Sequence, residues 1–326
     1  MSDVNKKVFI TGAAGFIGKS LMARYRAMGW TAVGIDFNAD PEQGIFCGNL
    51  LQPAGWSEHL KDCDLVIHTA ALVSNTANWD QAWEVNVKGT RQVLDAAIAA
   101  GVNRFLHLSS VAAYGFYFEG CVSEEAPLKP IGNVYVDSKI ASEHAVLQAH
   151  ASGSIDCTII RPTDVYGPGS RPWVIIPVES IRDNKFILPA YGQGRFSPVY
   201  IDNLIDGMVL AAEHEEGKGQ IFNIGDGVDL TASEFFAHYY QFLGILKPVK
   251  TMSLSLAKGL SYVIQLVAKL TGKASEIGPG TMDMLSRTGS YDISKARQLI
   301  GYQPHIDLDA GMERTRVWLV EQGYFQ

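Results

Sequence analysis

The chain begins with short apolar runs that alternate with longer stretches in which apolar residues recur every three or four positions. The short runs predict strands and the longer spacing predicts helices. Predicted strands cover residues 8–10, 32–35, 65–68, 105–108 and 158–160, and predicted helices cover residues 19–28, 81–100 and 133–149. Because strands and helices alternate, the pattern indicates an α/β fold of the Rossmann type, with a doubly wound parallel sheet.

The pattern changes after residue 166, where proline and glycine interrupt short strands and helices. Thr231 and Glu234 have the spacing of a capping box and predict a helix start there. We therefore expect a dinucleotide-binding domain over 1–165 and a smaller C-terminal substrate-binding part over 166–326. Residues 221–225 have the pattern of a further strand, so 199–230 is expected to return to the main sheet.

Residues 254–270 form an apolar stretch that Lys258, Gln265 and Lys269 interrupt. It is too short and too polar to predict a membrane-spanning helix. Its apolar residues fall at helical spacing, which predicts an amphipathic helix. Three roles stay open for it: packing on the protein, a cover over an apolar substrate, or contact with a membrane surface.

A glycine-rich segment directly follows the first predicted strand and precedes the first predicted helix. Gly12 permits a tight turn, Gly15 lets a phosphate approach the backbone, and Gly18 allows the helix to pack closely on the sheet. Backbone N–H groups at the start of the helix would face the anion. The arrangement predicts a binding site for the pyrophosphate of a dinucleotide.

Asp36 ends the second predicted strand. A carboxylate there can accept a hydrogen bond from a ribose 2′-hydroxyl and repels a 2′-phosphate, so we expect NAD rather than NADP. The alternative is a solvated aspartate at the end of a strand.

Tyr135 and Lys139 are four residues apart on one predicted helix, which places both on one face. An ammonium group near a phenol favours the ionised phenol, so Tyr135 becomes a candidate acid/base. Ser110 follows the strand 105–108, at the strand end that faces the cofactor crevice of such sheets.

The chain resembles the extended short-chain dehydrogenase/reductase family over nearly its full length. The resemblance rests on residues 11–18, Asp36, 68–71, 86–90, Ser110, Tyr135 with Lys139, and 161–168. It implies that Tyr135 exchanges a proton with the substrate, that Ser110 bonds the same oxygen, and that Lys139 holds the nicotinamide ribose and lowers the phenol pKa. His68 is a backbone-positioning residue in this pattern.

The resemblance also implies which residues bind NAD. Beside the glycines, Asp36, Tyr135 and Lys139, they are Phe16, Ile17, Asn49, Leu50, Ala70, Ala71, Pro162 and Val165. Many relatives carry aspartate at the position of Asn49, so its contact with adenine stays open.

The substrate is the least determined part of the prediction. Relatives that act on sugar nucleotides hold a diphosphate with an asparagine and an arginine, and this chain has Asp164 and Phe196 at those positions. A carboxylate repels a diphosphate, so an apolar substrate is expected. Segments 192–203, 254–270, 291–296 and 299–304 look like the 3β-hydroxysteroid dehydrogenase branch.

The residues expected to line the substrate site are Leu72, Val73, Trp79, Ser110, Asp164, Trp173 and Phe196. The expected activity is hydride transfer between NAD and a secondary alcohol or ketone on a sterol-like substrate. A sugar-nucleotide epimerase or dehydratase stays open because Arg195 could replace the missing arginine that holds the diphosphate. A non-catalytic dinucleotide-binding protein is the third possibility, since a fold alone does not establish turnover.

The formal net charge of −7 gives no electrostatic reason to bind nucleic acid. The four cysteines are far apart and lack the spacing of metal ligands, so no metal site is predicted. The first strand starts too early for a secretory signal, and we expect a cytoplasmic protein whose partner is a small molecule. A homodimer stays open.

Overall fold

A seven-stranded parallel sheet forms the centre of the computed structural model, which describes residues 6–74, 77–271 and 277–325. The strands are β1 Lys7–Thr11, β2 Thr31–Asp36, β3 Ile45–Cys47, β4 Leu65–His68, β5 Arg104–Leu108, β6 Cys121–Val122, β7 Asp156–Pro162, β8 Asp164–Tyr166, β9 Arg195–Phe196, β10 Pro198–Tyr200, β11 Ile221–Ile224, β12 Leu230–Thr231 and β13 Ser290–Tyr291. The central sheet has the order β11-β7-β5-β4-β1-β2-β3. The order reverses at β1, as in a doubly wound sheet, and the predicted fold class is confirmed.

Helices cover both faces of this sheet. The α-helices are α1 Phe16–Ala27, α2 Trp79–Ala82, α3 Gly89–Ala99, α4 Val134–Ala151, α5 Ile176–Arg182, α6 Ile201–Glu213, α7 Ala232–Phe242, α8 Leu254–Leu270, α9 Pro279–Met284, α10 Ser294–Ile300 and α11 Leu308–Glu321. A π-helical segment, Trp83–Lys88, joins α2 to α3, so the predicted helix 81–100 is one continuous helix with a wide turn. Asn133 caps α4, because its side chain accepts hydrogen bonds from Tyr135 N and Val136 N.

Strand β3 was not predicted from the sequence. It has three residues, which is too few for alternation of apolar and polar positions to become visible, and it pairs with β2 at the edge of the sheet. Strand β11 pairs with β7 in parallel, so residues 221–224 extend the sheet at the opposite edge.

Three short strand pairs lie outside the central sheet, and the second half of the chain forms an aromatic core. Strands β8 and β10 pair in parallel, β9 and β12 pair antiparallel, and β6 and β13 pair in parallel. Phe196 lies at the centre of the aromatic core, where it stacks on Phe235 and meets Trp173 edge-on. Thr231 and Glu234 form the predicted capping box at the start of α7.

Helix α8 occupies the predicted amphipathic segment, but its apolar stripe does not face the protein. Ala257 and Ser261 are its buried residues, whereas Leu256 and Leu260 are exposed. Packing of the apolar stripe on the protein is therefore not what the structure shows. In the described part of the chain, no helix has the length and apolar content that crossing a bilayer requires.

Candidate active site

The glycine-rich turn lies between β1 and α1 and is packed too closely for side chains. Gly12 has a φ of +69°, and a Cβ there would lie 2.9 Å from the backbone of Ala70. A Cβ at Gly18 would lie 2.0 Å from the carbonyl oxygen of Gly12. The backbone of the turn therefore approaches both the loop after β4 and α1, as a dinucleotide site requires.

The N-terminus of α1 is open to an anion. Gly15 is the N-cap and provides no side-chain hydrogen bond, and the first turn, which includes Phe16 and Ile17, has no acidic residue. The first N–H groups of a helix lack partners within it and carry the positive end of the helix dipole. The turn thus fits the pyrophosphate of a dinucleotide.

Asp36 lies at the end of β2 beside this turn. Its carboxylate accepts hydrogen bonds from Ala14 N at 3.1 Å and from Asn38 N at 3.2 Å. These bonds fix the carboxylate next to the glycine turn, the place that a ribose hydroxyl would need. Its position fits the predicted preference for NAD.

Asn49 and Leu50 follow β3 and support the same region. The side-chain oxygen of Asn49 accepts a hydrogen bond from Leu51 N at 3.0 Å, and its backbone oxygen accepts one from Trp56 Nε1 at 2.8 Å. Leu50 is buried and belongs to the core on this side of the sheet. The structure thus gives Asn49 a role in shaping the loop, and its predicted adenine contact stays a prediction.

The loop after β4 brings Ala70 and Ala71 to the carboxyl edge of the sheet, where both are half-buried. Ala70 N donates a hydrogen bond to Thr11 Oγ1 at 3.3 Å. Asn86 fixes the next residue, since its side chain bonds both Leu72 N and Leu72 O. Sequence reasoning did not single out this role of Asn86, although Asn86 lies in one of the matched motifs.

Ser110 and Tyr135 meet at the carboxyl end of β5. Ser110 caps a short 3₁₀ turn, Val111–Tyr114, by accepting a hydrogen bond from Ala112 N. Burial raises the pKa of the half-buried Tyr135 phenol, and a hydrogen bond with the Ser110 side chain lowers it in part. The two hydroxyl groups are thus neighbours, and a substrate oxygen could bond to both.

Lys139 is buried one helical turn after Tyr135. Its Nζ donates a hydrogen bond to the carbonyl oxygen of Leu108 at 2.8 Å. Burial lowers the pKa of Lys139 to about 8, and the negative charge of Glu143 opposes this shift. Burial dominates the raised pKa of Tyr135, and the predicted lowering of this pKa by Lys139 stays a prediction.

A buried charged network supports the active-site helix, and sequence reasoning missed it. Glu143 and Arg161 form a two-point ion pair with distances of 2.9 and 2.6 Å, and both side chains are buried. Arg161 also donates to the Tyr114 hydroxyl, which donates to Asn223. Glu143 shares a helix face with Tyr135 and Lys139, but the sequence alone cannot show that this face is buried.

His68 lies under the cofactor crevice with both ring nitrogens engaged. Nδ1 bonds Thr11 Oγ1 at 2.7 Å, and Nε2 bonds Thr90 Oγ1 at 2.9 Å. Burial lowers the pKa of His68 to about 3, and the positive charge of Lys139 adds to this shift. The histidine is therefore neutral and links the ends of β1 and β4 to α3.

Asp164 is buried and paired. Arg287 Nη2 donates to its carboxylate, and Ser197 N donates to the same oxygen at 3.1 Å. Burial raises the pKa of Asp164, while the charge of Arg287 opposes the shift. Arg287 was not identified from the sequence, because it lies 123 positions away from Asp164 and only the tertiary fold brings them together.

The other predicted substrate residues differ widely in how far they are exposed. Phe196 is 1% exposed and belongs to the aromatic core, so it does not form an open wall of a pocket. Trp173 is half-buried against it. Val73 and Trp79 are exposed, and Leu72 is half-buried.

Pro162 and Val165 lie on either side of the β7–β8 junction. Pro162 is buried at the end of β7, and Val165 is half-buried in β8. Both are at the carboxyl end of the sheet, the edge where dinucleotides bind. The structure is thus compatible with the predicted placement of these residues next to the nicotinamide.

A family model described as "NAD dependent epimerase/dehydratase family" matches residues 8–225. A 3β-hydroxysteroid-dehydrogenase/decarboxylase of Arabidopsis thaliana is 26% identical, over 97% of this chain and 80% of the relative. A UDP-glucose 4-epimerase of Vibrio cholerae is 27% identical, over 95% of this chain and 94% of the relative. The solved structure "MoeE5 in complex with UDP-glucuronic acid and NAD" is 25% identical, covers 97% of this chain and 99% of its own, and has a TM-score of 0.77.

Proposed function

The chain belongs to the NAD dependent epimerase/dehydratase family, and from this premise we propose that it transfers hydride between NAD and a secondary alcohol or ketone on an apolar, sterol-like substrate. Enzymes of this family are NAD-dependent, and NAD is the cofactor. The proposal concerns the substrate, because the similar proteins include both sterol dehydrogenases and sugar-nucleotide epimerases.

The observation that carries the proposal is the buried ion pair between Asp164 and Arg287. An arginine binds a diphosphate well because its guanidinium group is always charged and donates in a fork. Here that group already faces a carboxylate inside the protein, so its charge is compensated. A diphosphate would have to compete with Asp164 and would meet its negative charge.

Arg195 was the sequence candidate for a replacement clamp, and it also has an acidic neighbour. Its Nη1 lies 3.5 Å from Asp229 Oδ2, with both side chains partly exposed. An exposed pair of this kind is weak and can open, so Arg195 keeps the sugar-nucleotide alternative testable.

Tyr135, Ser110 and Lys139 have the parts needed for the proton transfer. Bound NAD would accept the hydride when a secondary alcohol is oxidised, and the hydroxyl proton would pass to the Tyr135 oxygen in its ionised form. Ser110 holds the substrate oxygen through its own hydroxyl, and Lys139 supplies a positive charge on the same helix face as Tyr135. In the reverse direction Tyr135 returns the proton to the oxygen of the ketone.

A panel of substrates tests the proposal directly. NAD-loaded protein is titrated calorimetrically with a 3β-hydroxysteroid and with UDP-glucose, and NADH formation is followed by absorbance with each. We expect binding and turnover with the steroid and no heat from UDP-glucose. Tight binding of UDP-glucose without any steroid response would replace the proposal by the epimerase alternative, and binding of NAD without turnover on any substrate would favour a non-catalytic protein.

Asp164→Asn tests whether the ion pair between Asp164 and Arg287 sets the substrate preference. This change keeps the shape of the side chain and one oxygen that can accept from Arg287 and Ser197 N, but it leaves Arg287 without a counter-charge. We expect the variant to gain measurable affinity for UDP or UDP-glucose. Arg195→Gln should bind these ligands no better than the wild type does. If Asp164→Asn gains no affinity, the ion pair does not set the preference for an uncharged substrate.

We also retain two proposals from the sequence that concern the setting of the protein, a cytoplasmic location and a homodimer. Both rest on the sequence pattern, and cell fractionation and light scattering test them.

A further inference from the structure

Helix α8 is packed with its less apolar side towards the protein. The exposed residues on its outer side form what we name the α8 apolar stripe: Leu256, Leu260, Val263, Leu266, Val267 and Leu270, with exposed fractions between 44% and 77%. The residues that bury themselves against the protein are Ala257 and Ser261. The orientation is opposite to that of an amphipathic helix on the surface of a globular protein.

Specific contacts hold the helix in this orientation. Lys258 forms an ion pair with Asp283 of α9 across 2.5 Å. On the same side Gln265 lies so close to Gly278 that an added Cβ there would meet its amide nitrogen at 2.1 Å. These polar and small residues fix the inner side of the helix against the protein. The apolar stripe on the opposite side therefore faces outward.

A continuous exposed apolar surface of this kind marks an interaction site, because exposing large aliphatic side chains to water is unfavourable. The charge of the region indicates what binds there. Between Phe235 and Thr271 the sequence has four lysines and no acidic residue, although the whole chain has a net charge of −7. The lysines are Lys247, Lys250, Lys258 and Lys269, and the charge of Lys258 is compensated by Asp283.

An anionic lipid surface matches both properties. The apolar stripe would enter the boundary between headgroups and acyl chains, and exposed lysines such as Lys247 and Lys269 would attract the negative headgroups. A second copy of the same face is less suitable, because it would bring these positive charges together. We infer that α8 docks this protein on an anionic membrane surface, lying in its plane without crossing it.

The position of α8 gives this docking a use. Helix α8 packs on α9, and Met284 at the end of α9 belongs to the apolar cluster that includes Tyr135. Gly280 of α9 lies beside Asn133, the cap of α4. A membrane-bound α8 would therefore place the active site next to the lipid from which an apolar substrate could enter; this consequence rests on the proposed function, whereas the docking itself does not.

Vesicle sedimentation tests the inference without any enzyme assay. The full chain is mixed with vesicles of equal parts phosphatidylglycerol and phosphatidylcholine, or of phosphatidylcholine alone, and the pelleted fraction is measured. We expect binding to the anionic vesicles and at least about tenfold weaker binding to neutral ones. Leu260→Gln/Val263→Gln/Val267→Gln should reduce binding by about tenfold or more without adding charge. Val317→Gln/Val320→Gln removes exposed apolar side chains from α11 and should bind as the wild type does.

Lys247→Gln/Lys269→Gln tests the electrostatic contribution, and we expect it to weaken binding to anionic vesicles with normal folding by circular dichroism. Failure of the wild type to bind anionic vesicles would overturn the inference. So would unchanged binding of the triple α8 variant. Size-exclusion chromatography tests the alternative that a second copy of the chain covers the stripe. A wild-type dimer that becomes a monomer in the triple variant, together with no vesicle binding, would assign the stripe to self-association. Steroid turnover enters none of these results, so the docking and the proposed function can fail separately.

Discussion

We propose Tyr135 as the proton-transfer group, because its hydroxyl lies near the Ser110 side chain and its ring packs in an apolar cluster. We predict that Tyr135→Phe loses turnover by about a hundredfold or more while NAD binding persists, because the phenol oxygen transfers the proton and the ring still packs. Single-turnover rates and NADH titration measure the two effects. Tyr262→Phe, at an exposed position of α8, is the matched control and should keep normal turnover. Near-normal turnover of Tyr135→Phe would contradict the assignment.

Asp36 is fixed by hydrogen bonds to the backbone at the end of β2. We predict that the wild type prefers NAD to NADP and that Asp36→Ala narrows this preference by about tenfold, equivalent to ~1.4 kcal/mol. The reason is that the variant loses the repulsion of a 2′-phosphate and also the hydrogen bond to a ribose hydroxyl. The ratio of kcat/KM values for the two cofactors measures it. Equal efficiency with both cofactors in the wild type would count against this placement of Asp36.

Lys139 gives the protein a testable pH dependence. Burial lowers its pKa to about 8 from 10.5, so between these values the unfolded chain binds more protons than the folded chain at this residue. The free energy of unfolding should therefore rise with pH through this window, by up to about 3 kcal/mol for this group. Below about pH 8 the full cost of burying the charge remains.

Denaturant unfolding of NAD-free protein at a series of pH values checks this prediction. The wild type should gain stability relative to Lys139→Met as the pH rises through about 8, because the variant has no proton to lose. Lys61→Met, on the surface, should follow the wild type at all pH values. Lys139→Met should also weaken NAD binding and turnover. If the free energies of unfolding of the wild type and Lys139→Met changed in parallel with pH, burial would not lower the pKa of Lys139.

At the scale of elements, the contact between the glycine turn and α1 decides whether the cofactor site forms. A Cβ at Gly18 would overlap the carbonyl oxygen of Gly12, which is backbone and cannot swing away. We predict that Gly18→Ala destabilises the protein by about 1–3 kcal/mol and weakens NAD binding, since α1 must move off the turn. Thermal unfolding with and without NAD measures both effects.

Gly259→Ala on α8 is the control for this change. The added Cβ would meet no atom within 4 Å, so the substitution should stabilise the helix by up to about 1 kcal/mol. If the two alanine variants behaved alike, close packing at Gly18 would not be the cause of the loss.

At the scale of the whole molecule, one hydrophobic cluster connects the two parts predicted from the sequence. Its buried residues include Val8 in β1, Tyr166 in β8, Phe235 in α7 and Leu319 in α11. We predict that the parts unfold in one cooperative transition, because separating them would expose this shared core. Differential scanning calorimetry should give a van't Hoff enthalpy equal to the calorimetric one. Two resolved transitions would show instead that residues 1–165 and 166–326 are independent folding units.

The sequence by itself determined most of the sheet and the cofactor turn, because each depends on residues close together in the chain, and the same local spacing led to the proposal of Tyr135 and Lys139 as the acid/base pair. Strand β4 has the bounds that the apolar run predicts, and the cap of α7 lies at Thr231. Local spacing suffices there, since turns, caps and one helix face are set within a few residues.

The tertiary structure alone decided how distant residues are paired and which faces are buried. The negative charge of Asp164 is compensated by Arg287, and that of Glu143 is compensated by Arg161. Phe196 lies in the core and does not form a wall of the substrate site. The same holds for α8, where spacing predicted an apolar stripe but not its outward direction. Burial and long-range charge pairing depend on how the elements pack together in three dimensions. The pattern along one segment does not show which other segment it packs against.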